Sequence, residues 1–220
     1  MPALFPPWTN TVFPAVLAFS ALAIPAAAVG LMAFVRSPWN TGQFEPVEQP
    51  VQFDHRHHVV DDEIDCVYCH RGAETSRFAG IPATDVCMGC HSQVWSDSPL
   101  LEPVRRSYFS GRPISWNRVY DLPDFVYFDH AVHVKKGVRC ATCHGRVETM
   151  ARVHQVAPLS MGWCLDCHRQ ADAGRLEQGQ QQAYLGNTSM WGATVRASEP
   201  NGAWERHPVT RLTTCTACHR

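Results

Sequence analysis

From Met1 to Val35 the chain carries no charged side chain, and Phe13 to Val35 forms a run of 23 mostly apolar residues that Arg36 closes. As a helix that run is about 34 Å long at ~1.5 Å per residue, enough to cross a hydrocarbon core. The pattern predicts one N-terminal transmembrane helix within residues 1–36. Pro14 and Pro25 suit a membrane helix, where neighbouring groups satisfy the freed carbonyls. Ala26, Ala27 and Ala28 are small residues of the kind found at signal-peptide cleavage sites, but no basic region precedes the apolar run, so a retained anchor is expected. Residues 37–52, with Pro38, Pro46 and Pro50, predict an extended linker.

The polar and apolar positions beyond the linker repeat themselves. Phe53-Asp54-His55 with His58-Val59 returns as Phe128-Asp129-His130 with His133-Val134. Glu74-Thr75 returns as Glu148-Thr149, and Pro82 as Pro158. The offset between copies drifts only from 74 to 77 residues, the mark of a duplicated module with small loop insertions. The expected organisation is module 1 at 53–96, a connection at 97–127, module 2 at 128–169, and a tail at 170–220 whose first part, 170–187, is polar and Gln-rich.

The cysteines give the repeat its chemistry. All ten belong to Cys-x-x-Cys-His units: Cys66, Cys69 and His70; Cys87, Cys90 and His91; Cys140, Cys143 and His144; Cys164, Cys167 and His168; Cys215, Cys218 and His219. This spacing is that of c-type haem attachment, in which two thiols form thioethers and the adjacent histidine becomes the proximal iron ligand. A disulfide framework or a zinc site would not require a histidine after every pair. Five covalent haems c are therefore expected, with two in each module and the fifth close to the carboxyl end. About 36 residues per haem cannot build a conventional apolar core around each one. The predicted fold is a multihaem cytochrome c, mostly irregular, with short α-helices around a haem core. The net charge of −1 gives no support to nucleic-acid binding.

Haem attachment of this kind belongs to the exported side, so the expected location is a cell membrane, single-pass, with the haem domain on the periplasmic or outer face. Charge bias does not choose that orientation, because Arg36 follows the span and no Lys or Arg precedes it. A membrane partner that fixes the helix would resolve the conflict.

An iron that only transfers electrons needs a second axial ligand. Seven histidines lie outside the units: His55, His57, His58, His130, His133, His154 and His207. The repeat selects His55, His58, His130 and His133 as distal ligands, whereas His57 is matched by Val132 and is expected at the surface or facing a propionate. For the remaining haem Met150, His154, Met161 and His207 compete, with Met88 and Met190 behind them. Met150 is preferred because it follows the first unit of module 2, where module 1 has Ser76. Arg105, Arg106, Arg112 and Arg118 in the connection are candidates for pairing with haem propionates.

The paired Phe-Asp-His-x-x-His segments resemble the small multihaem cytochromes of the c3 and c7 type. The wider pattern resembles the pentahaem cytochrome c subunit of alternative complex III, a quinol-oxidising membrane assembly. Cys66-Val67-Tyr68-Cys69-His70-Arg71 with Ala79-Gly80-Ile81-Pro82, and Leu159 through Arg169, carry that resemblance. It implies iron-sulfur and polytopic quinol-binding subunits as partners, a monohaem cytochrome c or an oxidase as acceptor, and Met150 as the remaining ligand. Phe78 stands where the family pattern has a histidine before Ala79.

The expected function is electron transfer without catalysis: a subunit relaying electrons from a quinol-oxidising membrane complex to a downstream cytochrome or oxidase. The alternative is a self-sufficient membrane quinol dehydrogenase of the tetrahaem type, feeding a periplasmic reductase. A multihaem oxyanion reductase would need an open haem face, against which the number of candidate ligands argues. Asp61, Asp62, Glu63 and Asp65 could steer a basic cytochrome or form a solvated acidic loop.

Overall fold

The computed structural model describes residues 5–172 and 213–219. The chain divides into two compact units, Met1–Gln43 and Phe44–Arg220. His207, Met190 and the polar segment 173–187 lie outside the described residues.

The first unit contains helix α1 (Thr9–Arg36) and the single turn α2 (Pro38–Thr41). Helix α1 starts four residues before the apolar run. Its 28 residues make it about 42 Å long, more than a hydrocarbon core of ~30 Å. None of its residues is buried and the mean hydropathy of its most apolar 18-residue stretch is 2.2, so it is long and apolar enough to cross a membrane. The Ser37 hydroxyl donates to the Phe34 carbonyl at 2.6 Å, and extended backbone at Ser37 ends the helix.

The second unit is a succession of short helices without strands among the described residues. These are α3 (Cys66–Cys69), α4 (Gly72–Thr75), α5 (Thr84–His91), α6 (Glu102–Ser110), α7 (His130–Lys135), α8 (Cys140–His144), α9 (Met161–Asp172) and α10 (Cys215–Cys218). A π-helical turn covers Arg56–Asp61, and 3₁₀ turns cover Pro99–Leu101 and Val147–Thr149. Local chemistry starts several of them. The Asp65 carboxylate accepts the Val67 N–H at 2.9 Å to cap α3, and Asp129 accepts the Val132 N–H at 3.2 Å to cap α7.

The apolar interior is small. Among the described residues Val51, Met88 and Val104 form a buried cluster, flanked by Cys87, Leu101, Ile114 and Trp116. Met88 is thus a core methionine. Much of the cohesion comes from polar ties between distant segments. The half of the predicted linker after Gln43 lies along the body: Phe44 N–H donates to the Gln155 carbonyl at 2.8 Å, and Val47 N–H to that of Val153 at 3.2 Å. Gln49 and Asn117 exchange hydrogen bonds, and Arg152 pairs with Glu48. The two repeat segments meet where Ala131 N–H donates to the Ser76 carbonyl at 3.1 Å.

Candidate haem and axial-ligand sites

All five Cys-x-x-Cys-His units begin in a helical turn, in α3, α5, α8, α9 and α10. Cysteines three apart on a helix project from one face, with the histidine at the next position beside them. The cysteines also form an unbroken series of electrostatic neighbours. Burial, then Cys69, raises the Cys87 thiol; Cys66 and Cys140 share a hydrogen bond; Cys164 and Cys167 add to burial at Cys143; and Cys218 adds to burial at Cys164. Named by their first cysteine, the units therefore run in the order 87, 66, 140, 164, 215. In the Cys66–Cys140 pair the shared hydrogen bond pushes Cys66 up and draws Cys140 down to about 7. Burial, followed by the neighbouring thiols, pushes Cys143 up to about 11.

The histidines selected by the repeat meet the histidines of the units. Ring centres lie 6.0 Å apart for His58 and His91, 6.3 Å for His130 and His144, and 6.2 Å for His133 and His168. An imidazole–metal bond of ~2 Å, with the ring nitrogen about 1 Å from the ring centre, puts the centres of a bis-imidazole iron about 6 Å apart. The three pairs have that spacing. His55 is paired with His70 electrostatically: burial first, then His70 and His58, push it down to about 4. Burial, then His130 and His70, push His144 down to about 4 as well. Both rings are neutral at physiological pH, the form that binds a metal.

Hydrogen bonds orient these rings. The Nδ1 of His58 meets the Asp54 carbonyl at 3.2 Å, that of His70 the Gly80 carbonyl at 2.7 Å, and that of His91 the Val94 carbonyl at 3.0 Å. For His130 the partner is the Arg77 carbonyl at 2.8 Å, for His133 that of Asp129 at 2.7 Å, and for His219 that of Phe125 at 3.1 Å. A carbonyl accepts only from a protonated Nδ1, which leaves Nε2 with its lone pair free; ligating histidines are held this way. His55 differs, because its buried Nδ1 has no partner.

The two Phe-Asp-His-x-x-His segments adopt one ring arrangement despite different backbones, a π-helical turn and the α-helix α7. Phe53 lies edge-on to His55 at 4.8 Å and stacks on His58 at 4.4 Å. Phe128 does the same to His130 and His133, at 4.8 and 4.5 Å. His57 instead pairs its ring nitrogens with Asp61 and Asp54 at the surface. Of the acidic group, Asp61 is thus engaged by His57, and Asp65 by the α3 cap.

Several supporting residues carried no sequence signal. The Gly80 carbonyl reaches His70 because Gly72 lets residues 78–79 pass closely; a Cβ on Gly72 would collide with the Phe78 and Ala79 carbonyls. Tyr120 lies edge-on to His144 at 4.5 Å, and its hydroxyl accepts the Val156 N–H at 3.0 Å while facing the Cys143 carbonyl at 3.3 Å. For the fifth unit the ring beside His219 is Phe125, at 5.7 Å. The Met150 methyl would lie 3.4 Å from a Cβ on Gly145, the residue after His144. His154 faces Phe44 at 6.4 Å, and Met161 is exposed. Of the arginines in the connection, Arg105 donates to the Ser96 and Ser98 carbonyls and pairs with Glu102, Arg106 also pairs with Glu102, and Arg118 pairs with Asp121.

Comparison with known proteins agrees with this geometry. Residues 126–220, which contain the units at Cys140, Cys164 and Cys215, match the family described as cytochrome c7 and related cytochrome c. The "Menaquinone reductase, multiheme cytochrome c subunit" of Nitratidesulfovibrio vulgaris (strain Hildenborough) is 39% identical over 98 residues, 44% of this chain and 46% of that protein. The chain thus spans about half the length of the curated relative it matches. Over residues 126–220 it is similar to multihaem cytochromes of the c7 type, a class that holds haem c covalently.

Proposed function

We propose that the chain is a five-haem electron-transfer subunit of a membrane complex that oxidises quinol, handing electrons to a downstream cytochrome or oxidase. The observation that carries this reading is the set of three histidine pairs at 6.0, 6.3 and 6.2 Å. Each joins a unit histidine to a repeat histidine at the spacing of a six-coordinate iron, which leaves no open face for substrate chemistry there. Bound haem c supplies a one-electron couple at iron, and the protein supplies position and electrostatics. In this reading Cys66, Cys69, Cys87, Cys90, Cys140, Cys143, Cys164, Cys167, Cys215 and Cys218 hold the macrocycles. His70, His91, His144, His168 and His219 are proximal ligands, and His55, His58, His130 and His133 are distal, with Met150 as the candidate for the haem left without a repeat histidine. In this reading electrons follow the order of neighbouring units, 87, 66, 140, 164, 215. Two duplicated dihaem modules and a satellite fifth haem account for the shared ring arrangement.

The anchor is α1, with the haem domain on the periplasmic or outer side. Membership of alternative complex III, with iron-sulfur and polytopic quinol-binding partners, follows the resemblance of the Cys66–Pro82 and Leu159–Arg169 segments. A second reading reverses the electron flow, so that the complex reduces a quinone from the outer side. The similarity to a menaquinone reductase subunit favours it. Mild-detergent purification from native membranes, with mass spectrometry of comigrating proteins and quinol-oxidation and quinone-reduction assays, tests both. Recovery with polytopic and iron-sulfur subunits and net quinol oxidation supports the first. Net quinone reduction supports the second. Recovery alone with quinol oxidation intact would sink both in favour of a self-sufficient dehydrogenase.

A further inference from the structure

Arg77 occupies an unusual position. Its guanidinium carbon lies 4.9 Å from the centre of the Phe78 ring and 5.1 Å from that of Tyr127. Its Nε is buried without a hydrogen-bond partner, and no carboxylate lies within ion-pair distance of it among the described residues. Ring contacts engage the faces of a guanidinium and do not satisfy its in-plane N–H donors. The residue is half-buried, and an Nε–H shut off from water without an acceptor is unfavourable until a complementary group completes it. Beside it is a recess of about 180 Å³ lined by Arg77, Tyr127, Phe128 and Asp129. The Asp129 carboxylate is already turned to the first turn of α7, where it caps Val132.

Two units adjoin this recess. The Arg77 carbonyl accepts from His130 Nδ1 at 2.8 Å, and His130 faces His144 of the Cys140 unit. Tyr127 N–H donates to the Cys218 carbonyl at 2.8 Å, which ties the opposite wall to the Cys215 unit. A planar guanidinium edge matches a carboxylate bidentately. We infer that Arg77 is the binding residue for a haem propionate, from the haem of the Cys140 or the Cys215 unit. The inference rests on the haem occupancy proposed above. It adds to the arginines of the connection, of which Arg105, Arg106 and Arg118 have local partners, one whose sequence context gave no sign of the role.

A cation at this point favours ferrous over ferric iron, so its removal lowers a midpoint potential. The test is a spectroelectrochemical titration of the full chain, with covalent haems counted by pyridine haemochrome and intact mass. Arg77→Gln is expected to retain the wild-type haem count and to weaken reduction of one component about tenfold, ~59 mV for a one-electron couple. Arg77→Lys keeps the charge but loses the fork, and should shift the same component about threefold. If Arg77→Gln fails to load haem, the Arg77→Lys shift decides. Repeating the titration with Cys215→Ala and Cys218→Ala separates the sources: a shift that persists assigns the haem of the Cys140 unit, and one that vanishes assigns the fifth. Unchanged potentials in both Arg77 variants, or equal shifts in the two, overturn the inference. A wild-type count other than five refutes the occupancy reading separately.

Discussion

Replacing Tyr120 by phenylalanine tests whether the wall behind the Cys140 unit is held by a polar tie. The substitution keeps the ring, and with it the edge-on contact to His144 at 4.5 Å and 70°. It removes the hydroxyl that accepts the Val156 N–H at 3.0 Å and faces the Cys143 carbonyl at 3.3 Å. Burial holds the Tyr120 proton above its usual range, so at neutral pH the group is a hydroxyl able both to donate and to accept. Losing a hydrogen-bonding partner at this half-buried site costs ~1–2 kcal/mol. For a folded unit of 150–250 residues each kcal/mol moves Tm by roughly 2–4 °C, giving an expected drop of about 2–8 °C. The assay is thermal unfolding of the haem-loaded protein followed by Soret circular dichroism, with haem count and the low-spin absorption spectrum as controls. Unchanged haem content with a lowered Tm is the expected result. A Tm unchanged to within a degree would show that the hydroxyl does not hold the 143–156 loop. A loss of the low-spin spectrum would show that the ring contact depends on it.

Two further outcomes follow from the paired rings. The ring planes of His58 and His91 are 63° apart, whereas those of His130 and His144 are 10° apart and those of His133 and His168 26°. Near-perpendicular imidazoles make the two iron dπ orbitals almost equivalent, so electron paramagnetic resonance should show a large-gmax signal that disappears in Cys87→Ala with Cys90→Ala. Its survival there would refute the assignment. The second outcome concerns acid. In the haem-free folded chain burial holds the His55 and His144 rings down to about 4, against ~6.5 when unfolded. The unfolded state therefore binds more protons between these values, and stability falls as pH drops from about 6.5 towards 4, by roughly 3 kcal/mol per ring at most. Iron on the rings extends the lower edge of that window. Denaturant midpoints measured from pH 7 to 4.5 check this, and a flat profile would contradict it.

The parts of the site that could be read from the sequence are those fixed by contiguous residues. A covalent attachment unit needs five neighbouring positions, so each unit is visible by itself. The candidate distal histidines stand out only through the repeat: His55 and His58 mean little alone, but their return as His130 and His133 at a near-constant offset separates them from His57. What the sequence hid was the set of contacts that hold these rings. A backbone carbonyl has no residue signature, so nothing marked Gly80, Val94 or Arg77 as partners of ligand histidines. The clustering of arginines in the connection did not show which of them find local partners: Arg105 and Arg106 reach Glu102, and Arg118 reaches Asp121. The backbone of the repeat was also not readable: the same ring arrangement rests on a π-helical turn at Arg56–Asp61 and on α-helix at His130–Lys135.

That last difference bears on how a duplicated module can diverge without losing its iron geometry. In both copies the phenylalanine stacks on the second histidine and touches the first edge-on. The carbonyl of the intervening aspartate takes the second histidine's Nδ1. Two imidazoles are thereby oriented by one aromatic ring and one carbonyl, all within six residues, whatever the helix beyond them does. The outer partner of the first histidine is free to change: His130 has the Arg77 carbonyl, whereas the Nδ1 of His55 has no partner. A hydrogen-bonded imidazole is the stronger donor and stabilises ferric iron. In the proposed haem-loaded chain the two copies would therefore share one coordination geometry while their first haems differ in potential, giving a chain of similar sites a direction without a change of ligands.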